Sequence, residues 1–294
     1  MSHKPNTVPL SVIIITYNAG EDIVACLNSV CSWADEIFIV DSFSTDDTIE
    51  FARKYTKNIV SYSFEGFAAQ RNWALENLPL NNEWVFFLDQ DERNIPELTE
   101  EIRQLISQSN TNSGFYIKRR FMFMGRWLKH GGYYPGVVLR LFRRSLGHVV
   151  DAGLREYVVV DGEVSKLSHD MIHDSVKSLA EWTAKHNLYA DLEAKEKITR
   201  KGQRSLTSER QDRELEGKMR LWLRNQVWER LPLLVRPLLL FAYRFIFRLG
   251  FLDGIPGLIY CFLHDLWYPF LIDAKCKEIQ LKNTSSASLD RNSL

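Results

Sequence analysis

In the first hundred residues, short apolar runs alternate with helix-like segments, and this alternation limits the fold more than any other feature. Strands are predicted at Leu10–Ile15, Glu36–Val40, Asn58–Tyr62 and Trp84–Leu88. Helices are predicted between and after them at Glu21–Val30, Thr45–Tyr55, Phe67–Asn77 and Pro96–Ile106. The first strand is rich in β-branched residues and shows no polar alternation, so both of its faces should be buried. Strands of that kind joined through helices form a mostly parallel sheet with helices on both faces, an α/β fold. From Gly114 the pattern changes. Phe115–Met124, Val137–Phe142 and Leu154–Val160 read as a mixed or antiparallel extension, and a long helix is expected from Ser175 to Ile198. The charged stretch Thr199–Lys218 reads as an exposed helix or loop, and the Ser/Asn-rich Asn283–Leu294 as disordered. The expected division is therefore a domain over 8–200, a helical region over 201–276 and a tail over 277–294.

In open parallel sheets, ligands bind beyond the carboxyl ends of the strands. Three predicted strands end in residues able to hold one: Thr16-Tyr17-Asn18, Asp41, and Asp89-Gln90-Asp91. The first set offers backbone and side-chain contacts to a nucleobase, and Asp41 can accept a hydrogen bond from uracil N3 or a ribose hydroxyl. Asp46 and Asp47 fit a helix start, where acids complement the dipole. Asp89 and Asp91 are hard oxygen donors suited to Mg²⁺ or Mn²⁺ bridging a carboxylate to a diphosphate. Acids at a strand end also occur as plain solvated turns; the joint pattern is what separates the two interpretations.

Three stretches carry a resemblance: Ser11–Asn18 (SVIIITYN), Ile39–Thr48 (IVDSFSTDDT) and Phe87–Glu92 (FLDQDE). They resemble the nucleotide-sugar domain of glycosyltransferase family two, and the similarity extends over about residues 10–275. Gly125–Gly132, Arg140–Arg144 and Gly250–Gly254 are similar to its lipopolysaccharide-core and capsule β-glucosyltransferase branch. The resemblance implies a GT-A (Rossmann-like) fold, an inverting reaction and a divalent metal, Mg²⁺ or Mn²⁺. It implies nucleotide-sugar contacts from Thr16, Tyr17, Asn18, Asp41 and Asp89, and metal contacts from Asp91, Asp89 and His173. Inversion needs a base opposite the departing diphosphate. The resemblance puts Glu156 there, with Asp151 in reserve; on the residues alone, Glu156 equally fits an ion pair. The expected donor is a nucleotide-diphosphate hexose, with UDP-glucose as the family's expectation, and the acceptor a lipopolysaccharide core or other membrane glycolipid.

Two departures stand out. Asp41 is followed by Ser42 where family members often carry a second acid, and Arg155 precedes Glu156 where the branch tends to have histidine. His169 and His173 are four apart and would share a face of a helix as a metal pair, although no third ligand lies near in sequence. Taken without the resemblance, His173 fits a hydrogen-bonded structural histidine.

Residues 118–144 are basic and interleaved with aromatics, which suits a phosphate-bearing acceptor. Arg126, Trp127, Arg140 and Arg143 are its candidate contacts. Residues 219–272 are the most apolar part of the chain, but charges interrupt every run before the ~18 residues a span requires. Arg236, Arg244 and Arg248 fall on one helical stripe, as in a helix lying at a membrane interface with its arginines toward lipid phosphates; the alternative is a helical appendage packed on the catalytic domain or on a second subunit. Pro232, Pro237, Pro256 and Pro269 predict several short helices. A formal net charge of +0 argues against nucleic acid as a partner. The four cysteines show no metal or disulfide spacing, and no signal-peptide core is evident. The expected location is cytoplasmic, peripheral on the inner face of the cytoplasmic membrane.

Two other functions compete. A nucleotidyltransferase expects a basic, glycine-rich loop after the first strand, whereas Thr16–Asp22 has only Gly20 and no base. A non-catalytic sugar-nucleotide or lipid-binding protein is kept open by Arg155 and opposed by the intact Asp89 and Asp91.

Overall fold

The structure is a computed structural model that describes residues 7–108, 110–151, 156–174, 178–200, 232 and 235–291. The chain forms two compact units. The described parts of Met1–Met122 and Tyr133–Ser175 make one, and those of Phe123–Gly132 and Val176–Leu294 make the other.

Strands β1 (Val8–Thr16), β2 (Ala34–Asp41), β3 (Ile59–Ser61), β4 (Trp84–Asp89) and β5 (Glu92–Asn94) come from the first hundred residues. They are followed by β6 (Gly114–Phe123), β7 (Arg126–Trp127), β8 (Gly136–Arg143), β9 (Gly147–Asp151), β10 (Glu156–Val160) and β11 (Val164–His173). The main sheet runs β3-β2-β1-β4-β8-β6-β11-β5, while β9 and β10 form a separate ribbon. The pairs β1–β2, β1–β4 and β2–β3 are parallel. β8 is antiparallel to both β4 and β6, so the extension enters the sheet in reverse. Then β11 runs parallel to β6, with β5 antiparallel at the edge.

Burial on both faces explains the unbroken apolar strands. Val12 and Ile14 pack with Phe86 and Leu88 on one face, and Ile13 and Ile15 with Val85, Phe87 and Phe142 on the other. Helices α1 (Asp22–Asn28) and α4 (Pro96–Ser107) cover the first face through Ile23, Leu27, Leu98 and Ile102. Helix α2 spans Thr48–Arg53, and α3 (Phe67–Asn77) covers the second face through Ala68 and Ala74. Each large side chain buried this way contributes ~1.5–3 kcal/mol.

The longer stretch of the second unit opens with α5, Leu179–Arg200. The sequence assigns this helix to the first domain, but Ala190 and Ala194 pack on Ile272 and Cys276. Tyr268 also donates to Glu193 at 2.7 Å, and Lys275 reaches Asp191 at 2.6 Å. The charged stretch expected after α5 lies outside the described residues. Helix α6 (Val235–Ala242) continues as a π-helical turn, Tyr243–Phe247. A 3₁₀ turn at Gly250–Asp253 then leads through α7 (Gly254–Tyr260) and a second π-helical segment, Cys261–Trp267, into α8 (Tyr268–Arg291). Glycine is needed at this turn: a Cβ on Gly250 would meet the Arg244 carbonyl at 2.9 Å, and one on Gly257 the Gly250 carbonyl at 2.7 Å.

Two expectations change here. Pro269 does not end its helix; the π-helical segment just before it relaxes the hydrogen-bond ladder where proline brings no N–H. The residues read as a disordered tail are helical as far as Arg291.

His186 stacks on Trp182 with ring centroids 3.5 Å apart, and its Nδ1 lies 2.8 Å from the Trp182 carbonyl. Burial pulls its pKa down to about 4 despite that hydrogen bond. The folded state therefore holds His186 neutral over a range in which the unfolded chain, near 6.5, takes up a proton. This contribution to stability is complete above pH ~6.5 and is lost as pH falls toward 4. The melting temperature of the helical unit should drop between pH 7 and 5 in calorimetry, and His186→Phe should flatten that dependence.

Candidate active site at the sheet rim

The carboxyl ends of β1, β2 and β4 meet at one rim. The parallel register sets Thr16 beside Asp41 and Ile15 beside Asp89. Gln90, the residue between the two aspartates, ties the loops together. Its Oε1 accepts from Thr16 Oγ1 at 2.8 Å and from the Tyr17 N–H at 2.9 Å. Asn18 adopts φ 47° and its Oδ1 accepts from the Thr45 N–H at 2.8 Å, which fixes the β1 loop against the β2 loop. Asp41 is 2% exposed. Its Oδ2 accepts from the Ser44 N–H at 2.9 Å and its Oδ1 from the Ser44 hydroxyl at 2.5 Å. Tyr17 and Phe43 stand exposed on the same two loops. Asp46, just before the start of α2, accepts from the Thr48 N–H at 3.1 Å.

Beneath the β4 end lies a buried charge network. Arg71 of α3, its side chain 3% exposed, donates to Asp89 Oδ1 with one nitrogen and to Glu156 Oε1 with another. Arg140 of β8 donates to Asp89 Oδ2, and to Glu92 Oε1 at 2.9 Å. Glu92 is wholly buried; its Oε2 accepts from the Asp89 N–H at 3.1 Å, and Arg119 stands 3.4 Å from its Oε1. Burial alone would raise the Asp89 carboxyl, but Arg140 and then Arg71 hold it well below the usual carboxylate range. Glu156 shifts the other way. Burial, with Asp89 adding to it, pushes its pKa up against the pull of Arg71. Its second oxygen, Oε2, is buried and has no hydrogen-bond partner among the described residues.

Asp91 faces His173, with Oδ2 and Nε2 3.5 Å apart. His173 reaches it because β11 pairs with β5, which sets His173 opposite Glu92, and the Asp174 N–H donates to the Asp91 carbonyl at 2.9 Å. One hard oxygen and one imidazole nitrogen are donors that could hold a divalent ion. Both oxygens of Asp89 are engaged by guanidinium groups, so Asp91 and His173 are the donors left to a metal. Among the described residues no group of three such side chains gathers.

Several expectations are corrected by this geometry. His169 and His173 lie on strand β11, not on a helix, and they diverge: His169 pairs with Glu101 at 2.9 Å. Arg140 is part of the buried network and not a surface contact. Arg143 sits opposite Trp84, at the far end of β4 from Asp89, where it pairs with Glu83 and stacks on the indole at 4.7 Å. Lys118 and Arg120 both pair with Asp170, at 3.3 and 2.8 Å. Arg126 and Trp127 belong to the second unit, where Arg126 donates to the Leu252 carbonyl at 3.2 Å and Lys129 covers the Trp127 ring at 4.4 Å. Asp151 is exposed and stands opposite Glu156 in the β9–β10 ladder. Arg155 lies outside the described residues.

The residues the sequence did not single out are Arg71, Gln90 and Glu92. Arg71 carried a signal: it lies three residues from both Ala68 and Ala74, on the face that α3 buries. Asn72 next to it clips α3 to β9, its amide exchanging bonds of 2.7 and 2.8 Å with the Val149 backbone.

A mostly parallel sheet with helices on both faces and a polar carboxyl rim of this composition defines a GT-A fold, the architecture of sugar-nucleotide transferases. The chain belongs to glycosyl transferase family 2, whose sequence profile matches residues 11–160. It is similar to the lipopolysaccharide core biosynthesis glycosyltransferase LpsC of Rhizobium meliloti, 30% identical over 203 residues, 65% of this chain and 72% of that one. It is also similar to a glycosyltransferase of Rickettsia conorii, 28% identical over 207 residues, 67% of this chain and 73% of that one. Among solved structures it superposes on mannosyltransferase PcManGT from Pyrobaculum calidifontis in complex with GDP-Man and Mn²⁺. That match has a TM-score of 0.49 at 14% identity and covers 92% of this chain and 88% of the other. S. aureus TarS 1-349 in complex with UDP gives 0.47 at 18% identity, covering 92% and 91%.

Proposed function

We propose that this family 2 glycosyltransferase moves a hexose, glucose from UDP-glucose, with inversion onto a lipopolysaccharide-core or related membrane glycolipid. The observation that carries the catalytic part is Glu156. One of its oxygens is held by Arg71, while the other is buried and has no hydrogen-bond partner among the described residues, so its lone pairs are uncommitted there. A partly desolvated carboxylate with raised proton affinity has the property a general base needs. In this reading Glu156 Oε2 takes the proton of the acceptor hydroxyl as that oxygen attacks the anomeric carbon, and the nucleotide diphosphate departs from the opposite side. Arg71 holds the base in place and carries the charge relation between it and Asp89. Thr16, Tyr17, Asn18 and Asp41 hold the nucleoside, with the exposed Tyr17 and Phe43 rings beside it. Asp91 and His173 would hold Mg²⁺ or Mn²⁺, which when bound neutralises charge on the leaving diphosphate. Asp151 stays the alternative base, at the same rung of the ribbon. Arg126 and Trp127 remain candidates for the acceptor.

The lipid-borne acceptor rests on the similarity to LpsC and on the apolar C-terminal helices, through which the enzyme works at the cytoplasmic face of a membrane. Among the described residues one helical run, Gly250–Asn283, is long and apolar enough to cross a membrane by length and composition, against the expectation that charges break every such run.

The test is release of nucleotide diphosphate from a panel of sugar nucleotides in the presence of glycolipid extract. UDP-glucose should be turned over, EDTA should abolish release and Mn²⁺ restore it. Asp91→Ala should remove both turnover and the Mn²⁺ binding seen by electron paramagnetic resonance. Donor binding without any turnover would favour the non-catalytic reading.

A further inference from the structure

Between Val235 and Asp273 the C-terminal helices turn most of their charges inward, while Lys277, Glu278 and Lys282 further along α8 are exposed. Asp273 pairs with Arg236 at 2.6 Å, and Asp265 with Arg244 at 3.4 Å and His264 at 2.9 Å. Asp253 accepts from the His130 N–H at 2.9 Å and lies 2.7 Å from its Nδ1. All three aspartates are buried. Between Val235 and Asp273 the only exposed charged residue is Arg248, whose guanidinium lies against Gly132. Many of the large apolar side chains are instead exposed. Phe247 is 75% exposed and Ile255 72%, and Leu238, Ile246, Leu252 and Phe262 are exposed as well. A helix facing water shows the reverse arrangement.

This arrangement overturns the expectation that Arg236 and Arg244 reach for lipid phosphates, since both are engaged by buried carboxylates. It also narrows what can cover the face. A protein partner would meet a polar, charged rim, whereas acyl chains tolerate only a surface whose charges are hidden or neutralised in pairs. We propose that the C-terminal unit embeds this face in the acyl region of a bilayer, held by apolar burial and not by attraction between arginines and anionic headgroups. The proposal rests on the membrane attachment proposed above and specifies its mode.

Flotation of the full chain with vesicles tests it. The protein should float with pure phosphatidylcholine as well as with vesicles containing phosphatidylglycerol, and ~1 M salt should leave binding unchanged, because screening acts on charges and not on apolar burial. The double variant Phe247→Glu/Ile255→Glu should bind at least ~100-fold more weakly, as two large side chains lose their burial. Circular dichroism and UDP binding should match the parent, since both positions are at the surface. Binding confined to anionic vesicles and lost in salt would overturn the proposal, as would a lipid-free dimer that does not float, which would mean that a second copy covers the face. Release of UDP from UDP-glucose without lipid is measured alongside, so loss of flotation with that reaction intact counts against the embedding and not against the catalytic reading.

Discussion

Glu156→Gln is expected to lower turnover by ~10²–10⁴-fold, the usual worth of a positioned general base, with little change in donor affinity. Glutamine keeps the shape and can still accept from Arg71, but it cannot take a proton. The pH profile separates this role from a merely structural one. Burial and Asp89 raise the pKa of Glu156 above the ordinary 4.5, so the carboxylate loses its charge earlier as the medium is acidified. Activity should therefore fall along an acid limb displaced upward from the normal glutamate range, and the residual activity of the glutamine variant should lack that limb. An unchanged limb in the variant would assign it to another group, with Asp151 the first to test.

Arg71→Met should be the most destabilising substitution at the site. Among the described residues it leaves Asp89 with Arg140 alone and Glu156 with no cation in hydrogen-bond contact, both in a buried network that also contains Glu92. Removing one partner from a buried ion pair costs ~3–5 kcal/mol, because the remaining charge keeps its desolvation penalty. Denaturant unfolding should show a loss of this size. Pairing the change with Glu156→Gln should recover part of it, since the second substitution removes one of the stranded charges. A double-variant loss equal to the sum of the two single losses would mean that the Arg71–Glu156 pair contributes nothing of its own.

The rim was legible in the sequence because parallel strands buried on both faces spell themselves out. Leu10–Ile15 and Trp84–Leu88 have no polar residue whose side chain must reach water, so their ends at Thr16 and Asp89 could be read directly. Helix α3 was placed at the residues it occupies, yet Arg71 within it passed as an ordinary helical arginine. Its partners lie 18 and 85 positions away, and no local periodicity reports such a distance. Strands β5, β9 and β11 were missed for a related reason: they are short, carry polar residues, or are held by pairing across the fold and not by their own composition. The His169/His173 pair shows the cost, since the same spacing that shares a face on a helix sends the two side chains to Glu101 and Asp91 from a strand with a register shift. Of the Arg236–Arg244–Arg248 stripe, Arg236 and Arg244 misled because hydropathy counts a charge and cannot show that an aspartate waits for it inside.

The division of the chain into two units has a practical consequence for recombining parts of this enzyme with relatives. The second unit takes its residues from two separate stretches, and the shorter one, Phe123–Gly132, leaves the first unit and returns to it. That stretch is bonded to the turn after α6, through the Gly131 N–H to the Arg248 carbonyl and His130 to Asp253. A graft that swaps everything after Ser175 would thus mate a foreign turn with a native decapeptide. Hybrids that exchange both stretches together should express and fold where single-crossover hybrids aggregate.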